Sequence, residues 1–421
     1  MLNIKFRYGA SRRSPSLILA LTSLMTCGAD WRQFRGNDST GVSTESSVPT
    51  SWGQTLVDGR GENIAWRADL PGRGVSSPIV VSGTVIVTAS SGYKQDRLHV
   101  LAFDAATGTP AWQRQFWATG RTLCHPTMAV AAPTPASDGQ RIFAFFSSND
   151  MACLDLEGNL LWFRGLAFDF PTAGNDVGMA ASPLVADETV VAQVEDLGES
   201  FATGLDVRTG ESRWRIARGK AMNWSSPALW RGKTSADDVV LLQSPKELSA
   251  NHPRTGKQLW SLPFAASNIA SVVADGNGIF VPADGLTALS RQPGNQPPKV
   301  HWQDAKLAPT NSSPIINEGR IYTLNSASVL TCGDTSTGKV HWRLRLAGPF
   351  WATPAIAAGH AYCVNDKGLA QVVRLGAGDG GDPGELVSEY DFGEPILGSP
   401  AVADGALYFR SDAHLWKVAK P

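Results

Sequence analysis

The chain has 421 residues, 18% of them charged, with 37 Lys and Arg set against 38 Asp and Glu. That balance gives no support to nucleic-acid binding, which calls for a basic face. The 42 Gly and 26 Pro make a turn-rich chain, with no helix periodicity after residue 30.

Residues 1–29 read as an export signal. Lys5, Arg7, Arg12 and Arg13 give a basic start without an acidic residue, and an apolar stretch follows from Ser16 to Cys27. That stretch suits a signal peptide and is short for a membrane span. Cleavage is expected after Ala29. Lipidation at Cys27 is the alternative, against a poor lipobox with Thr26 before the cysteine. Removing 1–29 takes away four positive charges and leaves 33 against 38, a formal charge of −5.

Residues 30–60 form an arm in which Trp31, Phe34 and Trp52 are expected to pin the segment onto the body of the protein. From residue 61 the chain repeats itself. An opening pattern, Ser/Thr-Pro followed by apolar residues and Gly, recurs at Ser77-Pro78, Thr134-Pro135, Ser182-Pro183, Ser226-Pro227, Ser313-Pro314, Thr353-Pro354 and Ser399-Pro400. A degenerate copy without the Pro begins at Ala270-Ser271. A closing pattern, Asp-x-x-x-Gly-x-x-x-Trp, is intact at Asp104/Gly108/Trp112, Asp206/Gly210/Trp214 and Asp334/Gly338/Trp342. It is shortened at Asp155/Gly158/Trp162 and worn at Gly256/Trp260, at Trp302 and at Ser388.

The unit at 311–342 reads as four short strands: Ile315-Ile316, Arg320–Leu324, Ser328–Cys332 and one carrying Trp342. The carboxylate and the Gly of the Asp334–Gly338 turn suit that turn for different reasons. Such a sheet cannot bury both faces alone, and repeats spaced about 40 to 57 residues apart solve that by stacking. The eighth copy runs out at Pro421 after three strands. Asn63–Leu70, with Trp66, supplies the fourth from the other end of the chain. The predicted fold is therefore all-β: an eight-bladed propeller of four-stranded antiparallel blades, closed by an N-terminal strand. The domains are 1–29 signal peptide, 30–60 arm and 61–421 propeller. Trp66, Trp112, Trp162, Trp214, Trp260, Trp302 and Trp342 are read as docking each blade on its neighbour.

These repeats resemble the PQQ enzyme repeat shared by quinoprotein dehydrogenases and by BamB-type lipoproteins of the outer-membrane assembly machine. The resemblance covers about residues 61–418. The segment DWRQFRG also resembles the start of secreted PQQ-like propellers of planctomycete-type bacteria. The repeat implies the fold; its members do different things. As an enzyme, the resemblance would imply PQQ with calcium, and a carboxylate base near the quinone. No two cysteines are adjacent, the loops hold few carboxylates beyond Asp169 and Asp176, and GxSxG and HExxH are absent.

The first expectation is thus an exported, monomeric, non-catalytic scaffold of the periplasm or cell envelope. It would hold an envelope protein or exported peptide, with no catalytic residue, cofactor or metal and no transmembrane span. The alternatives are a PQQ-dependent alcohol or sugar dehydrogenase, and capture of a small molecule or carbohydrate in the funnel. Function is expected in the loops that enter each Ser/Thr-Pro motif. The candidates are His125, Asn175, Asp176, Asn223, Trp224, Asn311 and Trp351, for which turn caps and channel filling are the plain structural explanation. Two of these loops, 113–133 and 163–181, are unusually long. Cys153, Cys332 and Cys363 are expected buried on strands, and Cys124 most exposed. GAGDGGDPG at 376–384 is read as a flexible loop.

Overall fold

The computed structural model describes residues 30–53, 62–174, 176–276, 278–292, 296–376 and 382–420. The signal at 1–29, Asn175 and most of the 376–384 loop therefore lie outside the described residues.

Eight four-stranded antiparallel sheets follow one another along the chain. Blade 1 spans 79–117, blade 2 136–165, blade 3 184–217, blade 4 228–263, blade 5 273–304, blade 6 315–345 and blade 7 355–391. Blade 8 takes three strands from 401–419. Its fourth is Ile64–Asp69, which pairs antiparallel with His414–Ala419. The 311–342 unit forms Ile315–Asn317, Arg320–Leu324, Val329–Asp334 and Val340–Arg345, within two residues of the expected strands. First strands of most adjacent blades pack together, blade 8 against blade 1 among them, so the ring is closed.

Burial follows position in the blade. The second strand of blade 1, Thr84–Ser91, is buried except at its ends, while its outer strand Pro110–Trp117 alternates with solvent. Inner strands have a neighbouring blade on both faces, and outer strands do not. Cys153, Cys332 and Cys363 are buried and Cys124 is half-buried; all four are free thiols.

The Asp-Gly-Trp pattern makes the joints between blades. The Trp66 indole N–H donates to the Ala105 carbonyl of blade 1, Trp112 to Leu156, Trp162 to Val207, Trp214 to Pro253 and Trp302 to Thr335. Each ring lies flat on the next blade's turn glycine. A Cβ on Gly210 would come within 2.6 Å of the Trp162 ring, and its φ is +73°. The glycine therefore does two jobs: it takes the left-handed turn, and it leaves room for the indole. In the same turns the Asp carboxylate anchors the backbone. Hydrogen bonds from the Thr107 hydroxyl and N–H hold the Asp104 carboxyl below its ordinary range. Where blade 7 lacks its Trp, the arm compensates. Trp52 packs 5.8 Å from the Phe409 ring and 6.1 Å from Tyr390, while the Ser388 hydroxyl donates to the Thr50 carbonyl.

The arm does more than lie on a face. Residues 31–43 cross one end of the central channel and touch every blade. Trp31 exchanges backbone bonds with Val80 of blade 1, and the Arg32 carbonyl accepts from Ser137 of blade 2. Gln33 accepts from Val185 of blade 3, Asp38 pairs with Arg231 beside blade 4 at 2.8 Å, and Arg35 donates to Val272 beside blade 5. Gly41 lies against Ile315 of blade 6, Val42 bridges to Ile356 of blade 7, and Ser43 donates to the Ile356 carbonyl and to Val402 of blade 8.

Candidate functional site

The Ser/Thr of each opening motif begins the innermost strand of its blade, so eight such residues must converge on the channel axis. They form a belt. The Ser77 N–H donates to the Thr134 hydroxyl at 2.9 Å. Thr134 donates to Ser182, Ser182 to Ser226, Ser226 to Ser271, Ser271 to Ser313, Ser313 to Thr353 and Thr353 to Ser399, all within 2.8–3.0 Å. All eight side chains are buried. The Ser/Thr thus has a reason of its own: it satisfies the N–H of the preceding blade, which no ladder reaches. Blade 5 loses the Pro of the motif and keeps the hydroxyl.

The belt surrounds the base of a funnel of about 470 Å³, within the size range of small-ligand sites. Phe34 of the arm forms its floor. Val75, Met128, Ile269 and Leu397 line the walls, and His125, Trp224, Asn311 and Trp351 stand among the upper residues. Among the described residues no Asp, Glu, Lys or Arg lines it. Directly below the floor lies Arg35, whose Cζ is 5.3 Å from the Phe34 ring centroid. Its Nη2 donates to the carbonyl of Val272, the residue after Ser271 of the belt, while Nε and Nη1 have no partner. Burial pushes this guanidinium down to about 9, with no carboxylate to oppose the shift.

Of the seven loop residues expected from sequence, four meet at the funnel: His125, Trp224, Asn311 and Trp351. His125 is held by its N–H to the Val177 carbonyl and by Nδ1 against the Thr127 hydroxyl at 2.8 Å. Trp224 donates to the Gly178 carbonyl, and Trp351 is 41% exposed. Asp176 is on the surface, paired with Arg121 at 2.6 Å. Asn223 stands behind the wall in a buried network, donating to Glu195, which Arg218 pairs at 2.6 Å. Burial pushes the Glu195 carboxyl up, and Arg218 and Asn223 oppose the shift. Asn175 lies outside the described residues. Sequence reasoning missed the belt hydroxyls, Phe34 and Arg35 as funnel features. The surviving hydroxyl at Ser271, where Pro is lost, was the available signal.

The two long loops build a second feature on the same face, where all strand-four to strand-one connections emerge. They interlock. Gln95 donates to Cys124, Gly178 sits against Cys124, Gly120 against Ala167, and Gly198 against Thr172. The buried Asp196 carboxylate accepts the Gly174 and Gly198 N–H groups. On this shared platform over blades 1–3, Tyr93, Trp117, Leu123, Phe168 and Leu197 are all exposed large apolar side chains. Isolated exposed apolar residues need no explanation, whereas a group on interlocked loops is a candidate contact surface.

A quinone cofactor with calcium fits this donor set poorly. Calcium takes six to eight oxygen ligands with carboxylates among them, and the lining offers hydroxyls and one amide. No group of three His, Cys, Asp or Glu able to hold a metal exists among the described residues. PQQ carries several carboxylates, and no guanidinium or ammonium lines the funnel among the described residues to receive them.

The family model described as outer membrane protein assembly factor BamB matches residues 31–178, 173–294 and 283–382. A curated protein of Burkholderia pseudomallei named outer membrane protein assembly factor BamB is 26% identical over 242 residues, 55% of this chain. The match spans 56% of that relative, little more than half its length. The crystal structure of BamB from Moraxella catarrhalis is similar with a TM-score of 0.61 at 14% identity, covering 84% of this chain and 96% of that one. The quinohemoprotein alcohol dehydrogenase of Comamonas testosteroni is similar with a TM-score of 0.67 at 14% identity, covering 93% and 81%. At such identities the likenesses show the propeller and leave the job to the site.

Proposed function

The chain belongs to the family described as outer membrane protein assembly factor BamB, and from that premise we propose that it is a non-catalytic interaction scaffold of the cell envelope. In this reading the chain is exported and cleaved after Ala29, and it works as a monomer. It holds an envelope protein or an exported peptide against the funnel face. The observation that carries the reading is the group of Tyr93, Trp117, Leu123, Phe168 and Leu197, exposed on interlocked loops over blades 1–3. Burying such side chains is worth roughly 1.5–3 kcal/mol each, ample for a specific contact once a few are covered. The uncharged funnel beside it argues against general acid–base work, which requires a titratable group within hydrogen-bond reach of the substrate; His125 alone could serve.

The test is cross-linking from the envelope. A photoreactive residue at Trp117 or Phe168 should trap a discrete envelope or exported protein, and one at the opposite face, such as Lys339, should not. Equal or absent trapping at both faces would sink the proposal. Stoichiometric uptake of PQQ with calcium, followed by dye-linked alcohol or sugar oxidation, would replace it with the dehydrogenase reading.

A further inference from the structure

Resting on the scaffold reading and extending it to the funnel, we propose that the funnel is a seat for a single carboxylate carried on an apolar body. Three observations converge on that chemistry. The first is the belt. Seven of its hydroxyls already accept an N–H from the neighbouring blade. A hydroxyl used as an acceptor still has its proton to give. The ring is therefore biased toward donation into the cavity, and it favours ligands rich in acceptors.

The second is charge. No carboxylate lines the funnel among the described residues to repel an anion. Of two buried guanidiniums nearby, Arg410 stands against Gly74 behind the wall, and Arg35 lies against the Phe34 floor, where it is uncompensated. Arg35 is 2% exposed, its Nε and Nη1 are without partners, and no carboxylate pairs with it. A buried charge is costly unless paired. A ligand carboxylate seated on the belt would bring the missing counter-charge close, across a low-dielectric gap where attraction is strong. Arg35 would act as a positioning residue here, through its field and through Phe34, on which its guanidinium stacks. The third is the wall. Met128, Ile269, Leu397, Trp224 and Trp351 can cover an aliphatic or aromatic body and offer it no charge.

Two sources supply such a group: a free apolar acid, or the C-terminus of a chain that ends in an apolar residue. Titration calorimetry of the mature protein with N-acetyl-phenylalanine and with its primary amide tests the shared chemistry. Acid binding at least tenfold tighter than amide is expected. Arg35→Gln should abolish that preference, and Arg35→Lys should retain part of it. Trp351→Ala should weaken both ligands together and leave their ratio unchanged. Equal affinity of acid and amide, binding of neither, or an unchanged ratio in folded Arg35→Gln would overturn the proposal. An N-blocked pentapeptide ending in Phe as the free acid separates the sources. Tighter binding than the single residue assigns a chain terminus, and equal or weaker binding assigns a small acid. If these ligands fail while Trp117 still cross-links a partner, only the funnel assignment falls.

Discussion

The two ends of the channel are built on different rules. At the closed end, residues 31–43 reach all eight blades through backbone bonds, apolar packing and the polar side chains of Gln33, Arg35, Asp38 and Ser43. At the open end, backbone N–H groups are satisfied by hydroxyls, and side chains are left to face a cavity. The closed end spends its polar groups on the fold. The open end keeps its belt hydroxyl protons in reserve, and one closed-end group, the Arg35 guanidinium, is left with two nitrogens unpartnered. Stability and recognition are thus separated along one axis.

Breaking the closed end should have the largest effect. Trp31→Ala removes a buried indole from the contact with blade 1, and a loss of about 3–5 kcal/mol in urea unfolding is expected. A blade joint should follow. Gly210→Ala places a Cβ into the Trp162 ring at a positive φ, which should cost about 1–3 kcal/mol by the same measurement. At the boundary between the ends the sign should reverse. Arg35→Met replaces an unpaired buried cation with an apolar chain of similar length, and stability should rise by about 1–2 kcal/mol. A fall there would mean the guanidinium serves the fold. At the open end, Trp351→Ala should change stability by no more than about 0.5 kcal/mol.

The smallest expected effect is in the pH profile. Asp104 has a folded carboxyl pKa below its ordinary 3.8. A carboxyl depressed on folding contributes stability above the unfolded pKa, and that contribution is lost as pH falls through the folded value. Asp104→Asn should therefore flatten the acid limb of thermal stability below about pH 4 and change little at pH 7. An unaltered acid limb would remove the turn carboxylate from the account.

The ring was legible in the sequence because its instructions are local and repeated. Asp334 and Gly338 state a turn, Trp342 states a docking face, and the other blades repeat that message whole or in part. The blade-8 closure was legible because Trp66 stands apart from any blade of its own. The funnel was legible only in part. His125, Trp224, Asn311 and Trp351 are the odd residues of their loops, and they do converge. Asn223 carries the same local signature, yet it turns inward to Glu195, a partner on another blade that no motif links to it. Phe34 and Arg35 were invisible as funnel features because their positions depend on residues up to 237 away, as with Arg35 and Val272. The belt hydroxyls were seen as punctuation, since a Ser before Pro explains a strand start well enough alone.

The strand exchange in blade 8 has a consequence in time. Ile64–Asp69 is made early and pairs with His414–Ala419, among the last residues to be made. The arm that precedes it has seats on all eight blades, so its full set of seats exists only after the final blade is present. A chain emerging from its N-terminus must hold its opening residues without a home until the rest arrives. Blades can form one by one from local hairpins, but closure joins sequence-distant partners and bears the entropy of a loop nearly the length of the protein. During that interval blade 8 presents an open edge and the arm an unburied Trp31. The ring is most exposed to wrong partners just before it becomes complete.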